Sequence, residues 1–154
     1  MDLSMILRPD AVKVISAASS KKRLLHDFGD LAASAYGLDA TMIVDALHER
    51  EGLGPTGVGK GVALPHARLD NIDHVMGAFI LLEKPVDFSS VDRLPVDLAF
   101  ALFAPREAGV DHLKALAFVS RRLRDAAVCT KLRANPEAAT LHTILTEEDS
   151  VQAA

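Results

Sequence analysis

Two apolar stretches determine the fold that this sequence predicts: VMGAFILL at residues 75–82 and VDLAFALF at residues 96–103. Successive residues of a strand point to opposite faces of the sheet, and both stretches are apolar at positions belonging to either face. Strands of this kind are typical of a sheet that helices cover on both sides. The segment between the two stretches contains residues that interrupt strands, at Glu83–Pro85 and Phe88–Ser90. We therefore expect the first strand to end near Leu82.

Helical patterns lie before and after these strands. Ser20 is suited to cap a helix over residues 21–36 that ends at Gly37, and Asp39 or Thr41 to cap a second helix that ends before Gly52. Later in the chain we expect Asp125 to cap one helix, and Asn135 followed by Pro136 to begin another. A third helix has an apolar stripe at positions suited to packing on a core: Leu113, Leu116, Ala117, Val119 and Leu123.

The predicted architecture is a single α/β sandwich domain, with a central mixed β-sheet flanked by helices on both faces. The length of 154 residues is usual for one domain. We expect one domain over residues 1–154, with a core from about residue 6 to residue 148 and frayed ends that include the acidic tail.

Composition argues against several classes of protein. The chain has 17 Lys and Arg against 21 Asp and Glu, a net charge of −4 with His neutral, so nucleic acid is an unfavourable partner. Apolar runs such as residues 99–104 are too short to span a bilayer, and we expect no membrane insertion. The single cysteine, Cys129, cannot form an internal disulfide, which favours a cytoplasmic location, and its apolar neighbours favour a core thiol.

Five of the nine glycines lie within residues 52–61, and this density predicts a loop. Residues 54–60, GPTGVGK, resemble a phosphate-binding P-loop, which raises the alternative of a nucleotide-binding enzyme that uses the Gly54–Lys60 loop. However, Gly61 occupies the position of the Mg²⁺-binding Ser or Thr, and the loop follows a helix instead of a strand.

His66 is the strongest candidate for chemistry. It follows a short apolar strand that ends at Pro65, beside the glycine-rich loop, and α/β proteins place sites at such strand ends. A neutral imidazole is a nucleophile near pH 7.

The stretch GVALPHAR at residues 61–68 resembles the phosphorylation motif of the enzyme IIA proteins of the bacterial phosphotransferase system, in the mannitol/fructose/nitrogen class. The resemblance extends from about Ile6 to Glu148, and it includes residues 54–59, the PVDL of residues 95–98 and the DHL of residues 111–113. A chain of this length without an enzyme IIB portion is most similar to the nitrogen-regulatory enzyme IIA.

This resemblance implies a phosphocarrier with a regulatory role. His66 would accept a phosphoryl group from a phosphorylated HPr-type protein, and His112 would be the second histidine that stabilises it. Arg68 could supply positive charge, while a cradle of backbone donors could come from Gly57, Gly59 and Gly61. Asp111 is expected to cap a helix and to place His112 in its first turn, where the helix dipole favours a neutral ring. The resemblance implies neither a cofactor nor a metal.

Other functions remain as alternatives. The chain could be a sugar-specific enzyme IIA that passes phosphate to an enzyme IIB, or a binding module without catalysis. A zinc site made by His66, His74 and His112 lacks the close spacing that is typical of ligands on one element. Four histidines have no evident partner in the sequence: His26, His48, His74 and His142.

Overall fold

The computed structural model describes residues 2–147, which form one mixed sheet and five α-helices. The strands are β1 (Val12–Ile15), β2 (Gly57–Gly59), β3 (Val62–Ala63), β4 (His66–Leu69), β5 (Met76–Val86) and β6 (Val96–Pro105). The helices are α1 (Lys21–Tyr36), α2 (Ala40–Gly52), α3 (Val110–Arg124), α4 (Ala126–Ala134) and α5 (Ala138–Thr146). The N-terminus does not fray as expected, because Leu3–Met5 form a 3-10 helix and Leu3 is buried. The fraying expected at the other end, after residue 147, lies outside the described residues.

The sheet has the order β1-β5-β6-β3-β2, with β4 also paired to β6. β5 and β6 are antiparallel neighbours at its centre, whereas β1 runs parallel to β5. Residues 76–82 of β5 and 98–104 of β6 are buried throughout. Helices therefore cover both faces, and the α/β fold expected from the two apolar stretches is confirmed.

β6 pairs in parallel with two consecutive short strands, β3 and β4. Ala63 of β3 lies beside Ala99, and His66 of β4 lies beside Leu102, three residues further along each chain. The register is therefore unchanged across Leu64 and Pro65, even though the strand is interrupted there. The carbonyl of Pro65 still accepts a hydrogen bond from the amide of Leu102, at 3.0 Å. This pairing fixes the position of His66 against the centre of the sheet.

Local capping signals predicted most helix ends correctly. Ser20 accepts a hydrogen bond from the amide of Arg23, and Gly37 ends α1 in the left-handed conformation at φ 70°. Asp39 caps α2 and Asp125 caps α4 through their carboxylates. Cys129 of α4 is buried, and burial raises the pKa of its thiol, as expected for a core residue.

Three expected boundaries were wrong. β5 continues through Pro85 to Val86, because a shift in the β5–β6 register after Leu81 leaves Pro85 outside regular pairing. α5 begins at Ala138 instead of Pro136, since Asn135 is occupied at the end of α4, where its side chain donates to the carbonyl of Lys131 at 2.8 Å. Gly52, expected to follow α2, is its last residue.

The glycine-rich segment is a hairpin instead of an irregular loop. Its first strand, β2, pairs antiparallel with β3, and the chain turns at Gly59, Lys60 and Gly61, all with positive φ. A Cβ on Gly57 would lie 2.2 Å from Oγ of Ser90, so the absence of a side chain allows the neighbouring segment to approach. The element that follows a phosphate-binding loop should be a helix, and here it is β3.

The side chain of Arg133, in α4, links the turn of this hairpin to Asp97 of β6. Its Nε and Nη2 each donate to the carboxylate of Asp97 at 2.8 Å, and Nη2 also donates to the carbonyl of Lys60 at 3.0 Å. On the other side of the turn, the amide of Lys60 donates to Asp92 at 2.8 Å. A two-point contact of Arg with a carboxylate is strong and directional.

No helix within residues 2–147 is long and apolar enough to cross a membrane.

We predict that Arg133→Met lowers the free energy of unfolding by about 1–2 kcal/mol, because Asp97 loses a partly buried two-point partner. Urea denaturation measures the loss, and hydrogen exchange should accelerate at the amide of Lys60. The matched control is Arg8→Met, whose ion pair with Asp10 is exposed and contributes less than about 0.5 kcal/mol. Equal stability of the two variants would contradict the role given to Arg133.

Candidate functional site

His66 is the first residue of β4, directly after the interruption at Pro65. The sequence suggested a strand ending at the proline. In fact β3 ends at Ala63, and a second strand begins with the histidine. The His66 side chain is half-buried, on the same face of β4 as Arg68, whereas Ala67 and Leu69 point into the core.

Hydrogen bonds on both sides of the imidazole fix its tautomer. Nδ1 lies 2.8 Å from the carbonyl oxygen of Leu64, which can only accept, so Nδ1 carries the proton. Nε2 accepts a hydrogen bond from Nε of Arg50 at 3.2 Å. The ring nitrogen that carries the lone pair is therefore Nε2.

Arg50 is the main site residue that the sequence reading missed. It lies in the last turn of α2, and its Nη1 also donates to the carbonyl of Gly54 at 2.9 Å. Within residues 2–147 Arg50 forms no ion pair, and its donors contact a ring nitrogen and a carbonyl oxygen instead. A signal was present in the sequence, because a cation in the last turn of a helix directly precedes the glycine-rich segment.

His112 approaches the first histidine from α3. The two ring centroids are 5.5 Å apart and the rings meet edge to face at 69°. Gly109, at φ 56°, is the N-cap of α3, so the expectation that Asp111 caps the helix was wrong: a left-handed residue suits glycine, and Asp111 lies in the first turn. His112 still falls in that turn and is only 6% exposed.

Both histidines are held neutral near pH 7. Burial, with a further contribution from the Arg50 cation, lowers the pKa of His66. Burial lowers the pKa of His112 to about 4, and His66 and the Arg68 cation contribute in the same direction. Nε2 of His112 is buried and has no hydrogen-bond partner within residues 2–147. Such an atom favours a polar group entering the site, because a buried polar atom without a partner is costly.

Arg68 lines a cavity of about 430 Å³ that also contains both histidines, Arg50 and Arg106. Its Nη1 donates to the carbonyl of Arg106 at 3.0 Å, while Arg106 pairs with Asp70 at 2.7 Å. The cavity therefore combines three guanidinium groups with two neutral imidazoles, an arrangement suited to an anion.

The predicted glycine cradle lies elsewhere in the hairpin. Gly57, Gly59 and Gly61 pack against Ser90, Asp92 and the Asp97–Arg133 pair, and none of the three lines the cavities beside His66. The donor that contacts the imidazole is instead a single side chain from α2, that of Arg50.

Apolar side chains surround the opening of this site. We call Leu53, Val58, Leu113 and Leu116 the apolar rim; each lines a cavity that also contains His66. Leu113 is 64% exposed and Ala117 is also exposed, although the sequence assigned both to the core, whereas Leu116 is partly buried and packs against it. The buried face of α3 is rotated by about one residue, and consists of His112, Ala115, Val119 and Leu123. The apolar stripe of α3 is therefore partly a surface feature.

The remaining histidines lie away from this site or in other contacts. His74 is exposed beside Asp73, and no group of three His, Cys, Asp or Glu within residues 2–147 is arranged to hold a metal ion. His26 and His48 do have a partner, contrary to the sequence reading, because their rings meet edge to face between α1 and α2 at 6.0 Å. His142 contacts the carbonyl of Leu7 through Nε2 at 2.9 Å.

Several known proteins are similar to this chain over nearly its whole length. A nitrogen regulatory protein from Bradyrhizobium diazoefficiens is 41% identical over 145 residues, which cover 94% of this chain and 95% of the relative. One from Klebsiella oxytoca is 37% identical over 151 residues, covering 97% and 93%. The crystal structure of nitrogen regulatory protein IIA-Ntr from Neisseria meningitidis has a TM-score of 0.87 at 33% identity, covering 94% of this chain and 99% of that one.

The family model described as "Phosphoenolpyruvate-dependent sugar phosphotransferase system, EIIA 2" matches residues 5–148. That range contains the whole sheet and all five helices, so the match describes the complete fold and not a shared motif. The resemblance seen in the sequence is thereby confirmed, and the chain belongs to the EIIA 2 family of the phosphoenolpyruvate-dependent sugar phosphotransferase system.

Proposed function

We propose that this protein is a phosphocarrier that accepts a phosphoryl group on Nε2 of His66 from a phosphorylated HPr-type protein and acts as a regulator through its phosphorylation state. The observation that carries the proposal is the imidazole geometry: Leu64 holds the proton on Nδ1, and Nε2 presents its lone pair beside Arg50. A neutral histidine with one fixed proton is ready to act as a nucleophile.

The transfer step balances with these groups. Nε2 of His66 forms a bond to phosphorus as the phosphorus–nitrogen bond of the donor phosphohistidine breaks, and the donor imidazole leaves with that electron pair. His66 keeps its Nδ1 proton, and the carbonyl of Leu64 stabilises the positive charge that develops on the ring. Arg50, which donates to Nε2 before transfer, can then donate to a phosphoryl oxygen.

His112 and Arg68 complete the charge balance of the phosphorylated site. A neutral His112 can donate one hydrogen bond from its buried ring without adding a fixed charge that would trap the phosphoryl group. Arg68 supplies a cation on the same face of β4 as His66. Moderate stabilisation suits a carrier, because the phosphoryl group must leave again.

The apolar rim is the surface on which we place the donor protein. Leu53 and Leu113 are strongly exposed and both line the cavity that contains His66, so a partner that covers them also excludes water from the phosphorus. Phosphorylation adds about −1.5 to −2 charges in the middle of this rim. A protein that docks there therefore distinguishes the two states, which is the basis of the regulatory role.

Two further parts of the proposal come from relatives. Nitrogen regulatory proteins are similar over nearly the whole chain, which supports a regulatory output. The family description names a sugar phosphotransferase system, which supports the second candidate, onward transfer to an enzyme IIB. Adding a purified enzyme IIB to the phosphorylated protein separates the two, because only a sugar-specific carrier would lose its label to it.

Incubation with enzyme I, an HPr-type protein and labelled phosphoenolpyruvate should give one labelled residue per chain. The label should be acid-labile and alkali-stable, as expected of a phosphohistidine, and His66→Ala should abolish it. The control is His74→Ala, because His74 is exposed and lies outside the cavity. Label that persists in His66→Ala would refute the assignment.

His112→Ala should change the rate of phosphoryl gain, or the lifetime of the phosphorylated protein, by roughly 5- to 150-fold, since one hydrogen bond in such a site contributes about 1–3 kcal/mol. Rates of label gain and loss measure the effect, and circular dichroism checks that the variant folds. Rates equal to those of the wild type would show that His112 takes no part in transfer.

A further inference from the structure

A buried carboxylate lies next to the site without touching His66. Glu51, the neighbour of Arg50 in α2, has a side chain that is only 6% exposed. Its carboxylate accepts hydrogen bonds from both the amide, at 3.2 Å, and the hydroxyl of Thr56, which is itself buried. Nζ of Lys21 pairs with it at 2.6 Å.

This contact explains an unfavourable feature of α1. Lys21 is the first residue of that helix, where the helix dipole disfavours a cation. Its Nζ instead lies between the Glu51 carboxylate and the ring of Phe88, 4.7 Å from the ring centroid. The cation at this position is stabilised because it neutralises a charge that would otherwise be buried alone.

Thr56 connects the carboxylate to one side of the His66 ring. The carbonyl of Thr56 accepts a hydrogen bond from the amide of Leu64 at 2.9 Å. The carbonyl of Leu64, in turn, accepts the proton on Nδ1 of His66. The position of Thr56 therefore determines the position of the group that selects the tautomer.

The other side of the ring is connected through the turn that Glu51 closes. By holding Thr56, Glu51 closes residues 52–56 back onto the end of α2. The carbonyl of Gly54 within this turn accepts from Nη1 of Arg50, and Nε of the same guanidinium donates to Nε2 of His66. The partners of both ring nitrogens thus depend on one carboxylate.

We propose that Glu51, neutralised by Lys21 and anchored to Thr56, is a positioning residue that holds the hydrogen-bond partners of both nitrogens of His66 and so keeps Nε2 as the reacting atom. The effect on phosphoryl transfer rests on the proposed function of His66, whereas the effect on the position of its proton does not. The carboxylate contacts neither the imidazole nor the cavity of about 430 Å³ that contains it.

The decisive variant is Thr56→Val, which removes the hydroxyl donor while keeping shape and charge. Two hydrogen bonds keep the proton on Nδ1: the one that the Leu64 carbonyl accepts from Nδ1, and the one that Arg50 donates to Nε2. Weakening either of them favours the form with the proton on Nε2. We therefore expect the ratio of the Nδ1–H to the Nε2–H form of His66 to fall by about 2- to 12-fold, the range for one hydrogen bond. Nitrogen-15 NMR of the imidazole measures this ratio without any phosphoryl donor.

The rate of phosphoryl gain should fall in Thr56→Val in proportion to the fraction of His66 that remains in the Nδ1–H form. It should fall by more in Glu51→Gln, which also leaves Lys21 without its partner. Thr143→Val is the matched control, because its hydroxyl donates to a carbonyl within α5 far from the site in sequence. Lys131→Met, which breaks an exposed ion pair with Glu147, controls for the loss of an ion pair in Glu51→Gln.

The inference would be overturned if both variants fold and both keep the wild-type tautomer ratio. That result would mean that Glu51 and Thr56 contribute only to the stability of the fold. If Glu51→Gln fails to fold, Thr56→Val decides. Failure of the proposed function gives a different result: the wild-type protein would take up no label, whereas the tautomer ratio would still respond to Thr56→Val.

Discussion

The pairing of two short strands with β6 is the constraint on which the site depends. β3 and β4 share one register along β6, yet Leu64 and Pro65 lie between them outside regular strand structure. The interruption frees the carbonyl of Leu64 to turn toward the next side chain, while the pairing on either side keeps the backbone in place. A rigid sheet thereby holds a reactive imidazole in one orientation, as a site on a loop could not.

The chemistry follows from what surrounds this imidazole. Arg50 comes from the end of α2 and His112 from the start of α3, so two helices and one strand meet at a single imidazole ring. Burial keeps both histidines neutral near pH 7, and the nearby guanidinium groups supply the positive charge that a phosphoryl group requires. The neutral His66 thus provides the nucleophile and the arginines provide the positive charge, so His66 itself does not need to be protonated for an anion to bind.

The sequence predicted those features that local patterns determine. The caps of α1, α2 and α4 and the buried pair of central strands depend on neighbouring residues, and they are confirmed. The contact of Arg50 with His66 joins residues 16 apart, and the contact of Arg133 with Asp97 joins residues 36 apart, so neither produces a periodic pattern. The stripe on α3 was misjudged for a physical reason: Leu113 is apolar because it belongs to the rim around the site, not because it faces the core.

The central claim is that His66 reacts through Nε2, because its Nδ1 proton is held by Leu64. The most direct measurement is the site of the phosphorus–nitrogen bond in the phosphorylated protein, read from phosphorus–nitrogen couplings in protein whose histidines are labelled with nitrogen-15. The account predicts coupling to Nε2 of His66, with the proton retained on Nδ1. A phosphoryl group bonded to Nδ1 would contradict it, because that product requires the bond to the Leu64 carbonyl to be broken.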